Sequence, residues 1–400
     1  MKAGWQTKTL GEVCDFRGGG TPSKAVEQYW QGDIPWVSPK DMKFELISDS
    51  IDHISVEAIA SSATSLIPKD SVLMVVRSGI LARTVPIGIT ERDLTINQDL
   101  KALCPKGVIH ARFLYYLLES KMDVLLSMVS RSATVHRLTT DLIRSVDFVL
   151  PPLPEQKRIV GILDEAFDGI ATAKANTEKN LQNARALFES YLQSIFTQRG
   201  DGWVDTTLGN ICQRVSVGHV GPTSQFYCEE SDGIAFLRSQ NVRRGRLDFE
   251  GLRYITKDFH KKLKKSQLRA GDLLFVRVGA NRGDCCSVPE GLGDVNCANI
   301  VFARPTNGNT LYLERYCQST EGRGKLLGMT TGSAQGVINT MSVADLVVPI
   351  PPAPEQKQIV DRLDALSAET QHLECIYQQK LAALEELKKS LLHEAFSGQL

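Results

Sequence analysis

The stretch PPLPEQKRIVGILD, residues 151–164, is written again as PPAPEQKQIVDRLD at residues 351–364. A phrase repeated 200 residues apart in a chain of 400 points to a molecule built as two copies. Each phrase follows an apolar run, VDFVL in the first case and LVVPI in the second, which read as strands. Proline then ends the extended structure. Pro154 and Pro354 fit the first turn of a helix, where a missing N–H costs nothing, and Glu155 and Glu355 fall at the positive end of its dipole.

Working outward, three more blocks repeat at a period of 198 to 200. WQTKTLGEVC from Trp5 matches WVDTTLGNIC from Trp203; LIPKDSVLMVVRSG, ending at Gly79, matches LRAGDLLFVRVG, ending at Gly279; LFESYLQSIF, ending at Phe196, matches LKKSLLHEAF, ending at Phe396. The chain therefore divides as 1–150, 151–200, 201–350 and 351–400. The 1–150 and 201–350 segments alternate short apolar runs with Gly, Pro, Asn and Asp punctuation, the signature of compact mixed α/β units.

The 151–200 and 351–400 segments predict long helices. Ile159, Leu163, Ile170, Leu187 and Tyr191 recur at alternating steps of four and three, with Ala166, Ala173, Thr177, Asn180 and Ala184 between them. Ile359, Leu363, Leu373, Leu384 and Leu391 keep the same register in the second copy. That is a coiled-coil seam. Residues 155–196 would span about 63 Å at about 1.5 Å per residue. The first seam is small-sided in its middle and the second is rich in Leu, so the two helices suit each other. The fold class is α+β, with two mixed α/β domains separated by two long coiled-coil helices and related by an internal repeat.

Composition fits a globular protein: 42% hydrophobic and 23% charged, with nine cysteines that form no CxxC pair. Reduced, mostly buried thiols are expected, rather than a disulfide framework or a structural zinc. No apolar run approaches the roughly 18 residues of a membrane span, and the opening MKAGWQTKTLGEV lacks a signal-peptide core, so a cytoplasmic location without membrane contact is expected.

Lys and Arg number 46, balanced by 46 Asp and Glu, yet residues 238–282 alone hold 13 basic against 4 acidic side chains. LRSQNVRRGRL, residues 237–247, combines Arg238, Arg243, Arg244 and Arg246, which can neutralise phosphates, with Gln240 and Asn241, whose amides can read adenine edges. HKKLKKSQLR follows at 260–269, and the glycine loop VRVGANRGD supplies Arg277, Asn281 and Arg282. The first copy is sparser, offering Arg17, Lys40, Lys43, Arg77, Arg83, Arg131 and Arg137. Arg77 and Arg277 hold matching places at a strand end. These residues are the candidate double-stranded DNA contacts.

Motifs for chemistry are missing. There is no G-x-x-x-x-G-K-[ST] loop and no Asn/Asp-Pro-Pro-aromatic tetrapeptide of amino-methyltransferases. Asp147 with Glu155 and Lys157, and Asp345 with Glu355 and Lys357, imitate the acid plus E-x-K set of metal-dependent nucleases. The acid-to-Glu spacing differs between the copies, 8 against 10, where a metal site demands fixed distances. A nuclease stands as the alternative to a non-catalytic DNA reader.

The Trp-x-x-x-x-Leu-Gly opening, GDIPWVSPKDM, the strand ending in Arg-x-Gly, GSAQ at 332–335 and the doubled PPxPEQ elements leading into long helices together resemble the specificity subunit of type I restriction-modification enzymes. The resemblance covers essentially the whole chain. It implies two target recognition domains held by two antiparallel helices, each domain reading one half of a bipartite asymmetric DNA site, with helix length setting the spacer. It also implies two methyltransferase (modification) subunits and two restriction (motor and nuclease) subunits as partners. S-adenosylmethionine, ATP and Mg would belong to those partners, so this chain would bind no cofactor and hold no metal. Gln335 is carried over from GSAQ for the second domain only, because the first copy has SRSATVHRLTT there.

Overall fold

The computed structural model describes residues 4–132, 135–306, 309–328 and 336–400. Two compact units emerge, Met1–Thr177 with Gln379–Leu400, and Glu178–Gln378. Each opens on a strand that pairs antiparallel with the strand ahead of its PPxPEQ phrase. Gln6–Thr9 lies against Asp147–Leu150 in the first, and Val204–Thr207 against Val347–Ile350 in the second.

The first unit has a five-stranded sheet in the order Cys14–Gly18, Leu100–Pro105, Val72–Val75, Ile87–Thr90, Leu46–Ile47, and a four-stranded sheet in the order Asp52–Ile54, Ile34–Val37, Leu94–Ile96, Leu66–Ile67. The second unit repeats this plan from equivalent segments. One sheet runs Cys212–Val217, Ile300–Pro305, Leu273–Val276, Cys285–Ser287, and the other Tyr227–Cys228, Arg253–Thr256, Gly233–Arg238, Val295–Ala298, Gln267–Leu268. Even the parallel pairing is shared, Ile34–Val37 with Leu94–Ile96 and Gly233–Arg238 with Val295–Ala298. Val72–Val75 and Leu273–Val276 are buried throughout, which is why both read as unbroken apolar runs and not as alternating ones.

The two long helices, Leu153–Thr197 and Ala353–Ser397, have 45 residues each, about 68 Å at about 1.5 Å per residue. In the first unit Ile159 and Leu163 share a core with Leu392 and Ala395. In the second, Ile359 and Leu363 share one with Leu192 and Phe196. Within each unit, then, the start of one helix packs on the end of the other, which is antiparallel packing. The glutamine of PEQ explains why the phrase is repeated. Gln156, fully buried, accepts from the His110 N–H at 2.8 Å and donates to the carbonyls of Val108 (2.9 Å) and Pro151 (2.8 Å). Gln356, 4% exposed, accepts from the Asn309 N–H at 2.8 Å and donates to Pro351 O at 2.9 Å. Each side chain ties a helix start to its own domain through buried backbone groups that would otherwise lack partners.

The seam departs from the expected register in one place. Ile159, Leu163, Ile359 and Leu363 are buried, and Ile170, Tyr191, Leu373, Leu384 and Leu391 half-buried, but Leu187 is 51% exposed and does not belong to the seam. Leu181, Ala184 and Phe188 take the inward positions there. A strict alternation of fours and threes assumes 3.5 residues per turn, and a straight helix of 3.6 drifts from it by about 20° per heptad. After about five turns from Ile159, at about 3.6 residues per turn, an extra step of four restores the face, at 177 to 181. Leu387 is turned outward at the equivalent place in the second helix.

Candidate nucleic-acid interface

Strand Ile34–Val37 leads into a loop pinned by Asp41, whose Oδ2 accepts from the Ser38 N–H (2.8 Å) and hydroxyl (2.9 Å) while Oδ1 accepts from the Ile51 N–H (3.0 Å). Asn241 does the same work in the second unit. Its Oδ1 accepts from the Arg238 N–H at 3.0 Å and its Nδ2 donates to Asp248 O at 2.8 Å. Asn241 is fully buried, so the expectation that it reads adenine is corrected: its amide is taken up by the loop. Lys40 and Gln240, one residue earlier in the two loops, are both exposed.

Around the first of these loops the structure gathers Pro39, Arg77, Ser78, Asp99, Val135 and Arg137 into a cavity of about 400 Å3. Arg77 and Arg137 face each other in a two-stranded ribbon, Arg77–Ser78 with His136–Arg137. Arg77 Nε donates to Asp99 Oδ1. Asp99 is itself held, accepting at Oδ2 from Asn97 Nδ2 (3.2 Å) while its N–H donates to Asn97 Oδ1 (2.9 Å). Arg83, at the end of the 3-10 turn Gly79–Ala82, and Arg131 are exposed. Lys43 is exposed, and Arg17 donates from Nη1 to Leu66 O at 3.1 Å.

The second unit assembles the equivalent loops with different contents. Arg277 donates from Nε to Ile338 O at 3.3 Å and Arg282 from Nη1 to Gly336 O at 2.8 Å, while Ser239 Oγ donates to Asn299 O at 3.0 Å. Arg238 donates from Nη2 to Gly251 O at 2.8 Å. Asn281 is exposed. Gln335, with the rest of GSAQ, lies outside the described residues.

The basic run 243–246 is corrected in part. Val242–Arg243 and Arg246–Leu247 form a hairpin whose turn meets the long helices. Arg244 donates to Glu189 Oε2 at 2.7 Å, and Arg244 and Arg246 line a cavity of about 490 Å3 with Arg185, Glu189, Arg315, Thr370 and Glu374. Arg243 is half-buried, 3.7 Å from Asp248. Arg244 is thus engaged by the acidic Glu189 of the first long helix and Arg243 lies near the loop residue Asp248, whereas Arg246 is exposed. The exposed basic ridge lies further on. Lys257, Lys261, Lys262, Lys264 and Lys265, in and after helix Lys257–Lys262, are exposed. The matching helix of the first unit, Val56–Ala60, carries no cation. The signal for the ridge was already in HKKLKKSQLR.

The E-x-K sets are engaged elsewhere. Glu155 forms a two-pronged pair with Arg158, both bonds at 2.8 Å. Glu355 accepts from Trp203 Nε1 at 3.0 Å, and Lys357 pairs with Asp361 at 2.6 Å. Asp147 sits in a strand opposite Thr9, and Asp345 ends helix Thr340–Ala344. No three His, Cys, Asp or Glu converge as a metal site among the described residues, and nothing in the arrangement favours the nuclease alternative. Among those residues, too, no helix is long and apolar enough to cross a membrane.

Two copies of one α+β unit, each offering a loop cluster with its own set of polar and basic side chains, define a protein with two recognition domains. The model of the type I restriction modification DNA specificity domain matches twice, at residues 2–183 and 201–385, and the chain belongs to that family. It is 36% identical over 193 residues to the type I restriction enzyme EcoR124I/EcoR124II specificity subunit of Escherichia coli, a match spanning about half (48%) of each chain. With the MjaIX specificity subunit of Methanocaldococcus jannaschii it shares 24% identity over 99% of this chain and 93% of that one. Among solved structures, a chain from a type I R-M system superposes with a TM-score of 0.79 at 18% identity, covering 100% of this chain and 99% of the other. The HsdS subunit from Thermoanaerobacter tengcongensis superposes at 0.64 and 18%, covering 100% and 98%.

Proposed function

We propose that this chain is the DNA-reading subunit of a type I restriction-modification system, each domain reading one half of a bipartite, asymmetric site in double-stranded DNA. The observation that carries the reading is the duplicated sheet plan whose equivalent loops hold different residues: Lys40 against Gln240, Asp99 against Asn299, a helix without cations at 56–60 against the lysine ridge at 257–265. Equal frames with unequal contents suit two half-sites of similar geometry and different sequence.

In this reading the chain catalyses nothing by itself. It acts in the cytoplasm as the scaffold for two methyltransferase subunits and two restriction subunits, which bring S-adenosylmethionine, ATP and Mg. The long helices set the number of unread base pairs between the half-sites, since a helix advances by about 1.5 Å per residue whatever its side chains. Exchanging residues 203–350 for those of a relative is expected to change one half of the site mapped by methylation and leave the other intact. A change in both halves contradicts the proposal. Inserting four residues, about one turn, into each helix is expected to lengthen the spacer and leave both half-sites unaltered.

A further inference from the structure

We infer that Asp99 sets the aim of Arg77, and that Arg77, so held, reads a guanine in the half-site bound by the first domain. The inference rests on the DNA-reading function proposed above and assigns one residue pair within it. Arg77 is 39% exposed at its side chain and Asp99 22%, so the pair is neither buried core nor loose surface. The bond to Asp99 uses Nε. The two terminal nitrogens of Arg77 engage no group among the described residues. That leaves the end-on fork of the guanidinium, the pair of donors that matches O6 and N7 of guanine in the major groove.

The carboxylate is what separates base reading from phosphate binding. An arginine whose task is to neutralise phosphate is weakened by an acid beside it, because the acid cancels its charge and repels the backbone. An arginine that must present a planar fork at one angle gains from a fixed carboxylate behind it. Asp99 is fixed, bonded to Asn97 through both its carboxylate and its N–H, and Asn97 is buried. The second domain shows the alternative. Asn299 stands where Asp99 does, and Arg277, at the place in the frame that Val76 holds in the first domain, donates only to a main-chain carbonyl, with no carboxylate partner among the described residues. Asp99 is therefore a positioning residue for Arg77, and the second domain has an amide, Asn299, at its place.

The test uses the assembled complex, with the methyltransferase subunits, on duplexes in which each base pair of the mapped site is changed in turn. Exchange of residues 203–350 first identifies which half-site belongs to which domain. Asp99→Asn and Arg77→Lys are each expected to cut discrimination at one G·C pair of the first half-site by about tenfold. Discrimination in the second half-site, the salt slope and the melting temperature are expected to stay as in the parent. If Arg77→Ala alters neither affinity nor sequence preference, this face does not read DNA and the functional proposal for it fails. If Arg77→Ala abolishes discrimination while Asp99→Asn keeps it, the positioning role alone is overturned. Uniform weakening on all sequences with a lowered melting temperature makes Asp99 structural. Loss of preference at an A·T pair, or a first half-site without a G·C pair, overturns the guanine assignment.

Discussion

The two domains differ most where their frames are most alike. Immediately before the central strand of each main sheet stands Ser71 in the first domain and Asp272 in the second, and the neighbouring strand places Cys104 and Arg304 nearby. Asp272 and Arg304 form a bidentate pair, 2.7 and 2.6 Å, with side chains only 1% and 12% exposed. In the first domain the Ser71 hydroxyl donates to Pro68 O at 2.7 Å and lies 3.5 Å from Cys104 Sγ. Ser71 and Cys104 border a cavity of about 580 Å3 together with Thr90 and His110. A frame that accepts either a buried ion pair or a set of small hydroxyls and a thiol is held by its backbone ladders and apolar layers, and not by the residues at this spot.

The same contrast runs through the loops. Asp41 and Asn241 make equivalent bonds with different chemistry. At the N-terminal turn Glu12 accepts from the Thr9 N–H at 2.7 Å and closes a capping box; that hydrogen bond holds its carboxyl below the usual range. The second copy has Asn210 there, and a 3-10 turn, Leu208–Ile211, replaces the α-turn Leu10–Val13. The helices also differ in sign. Lys174 meets Glu385 and Arg185 meets Glu374 at equivalent places, so the first helix supplies both cations and the second both anions. Pairing a helix with its own kind would set like charges against each other, a polarity that favours the heterologous pair.

The largest effect is expected at the ion pair that divides the two domains. Replacing Asp272 by Ser leaves Arg304 buried and unpaired, with an expected loss of about 3–5 kcal/mol in denaturant unfolding. Adding Arg304→Cys, which installs the first domain's residues, is expected to recover much of that loss; a double variant as unstable as the single one means the frames are not interchangeable there. Next, Gln156→Ala and Gln356→Ala should each cost about 2–3 kcal/mol by orphaning buried backbone groups. Gln156 is expected to matter more, since it also holds Val108 O.

For DNA binding, Lys262→Ala with Lys264→Ala should flatten the plot of log affinity against log salt by about 0.9 for each phosphate no longer neutralised. Val56→Ala in the matching helix should leave the slope unchanged. Arg244→Ala, by contrast, should act on stability through Glu189 and leave the slope where it was. The smallest effect is expected on the rods. Lys174→Glu should cost about 0.5 kcal/mol, and Glu385→Lys in the same chain should restore it.

The sequence by itself determined the doubling, the strand-to-helix junctions at Pro151 and Pro351, the helix lengths and the apolar central strands, because each is written in local periodicity and in residues whose backbone geometry is fixed. Only the tertiary structure decided which cations are free. Arg244 and Lys262 look alike in the chain, yet Arg244 meets Glu189, 55 residues away, while Lys262 meets solvent. Asn241 looked like a reader of bases because its partners, the carbonyls of Asp248 and Glu250, come from a turn that a run of residue types does not encode. Leu187 fell outside the seam because the drift of a 3.6-residue helix accumulates over turns that no single heptad reveals. A charge or an amide states what a side chain can do; the segment folded against it states whether that capacity is already taken.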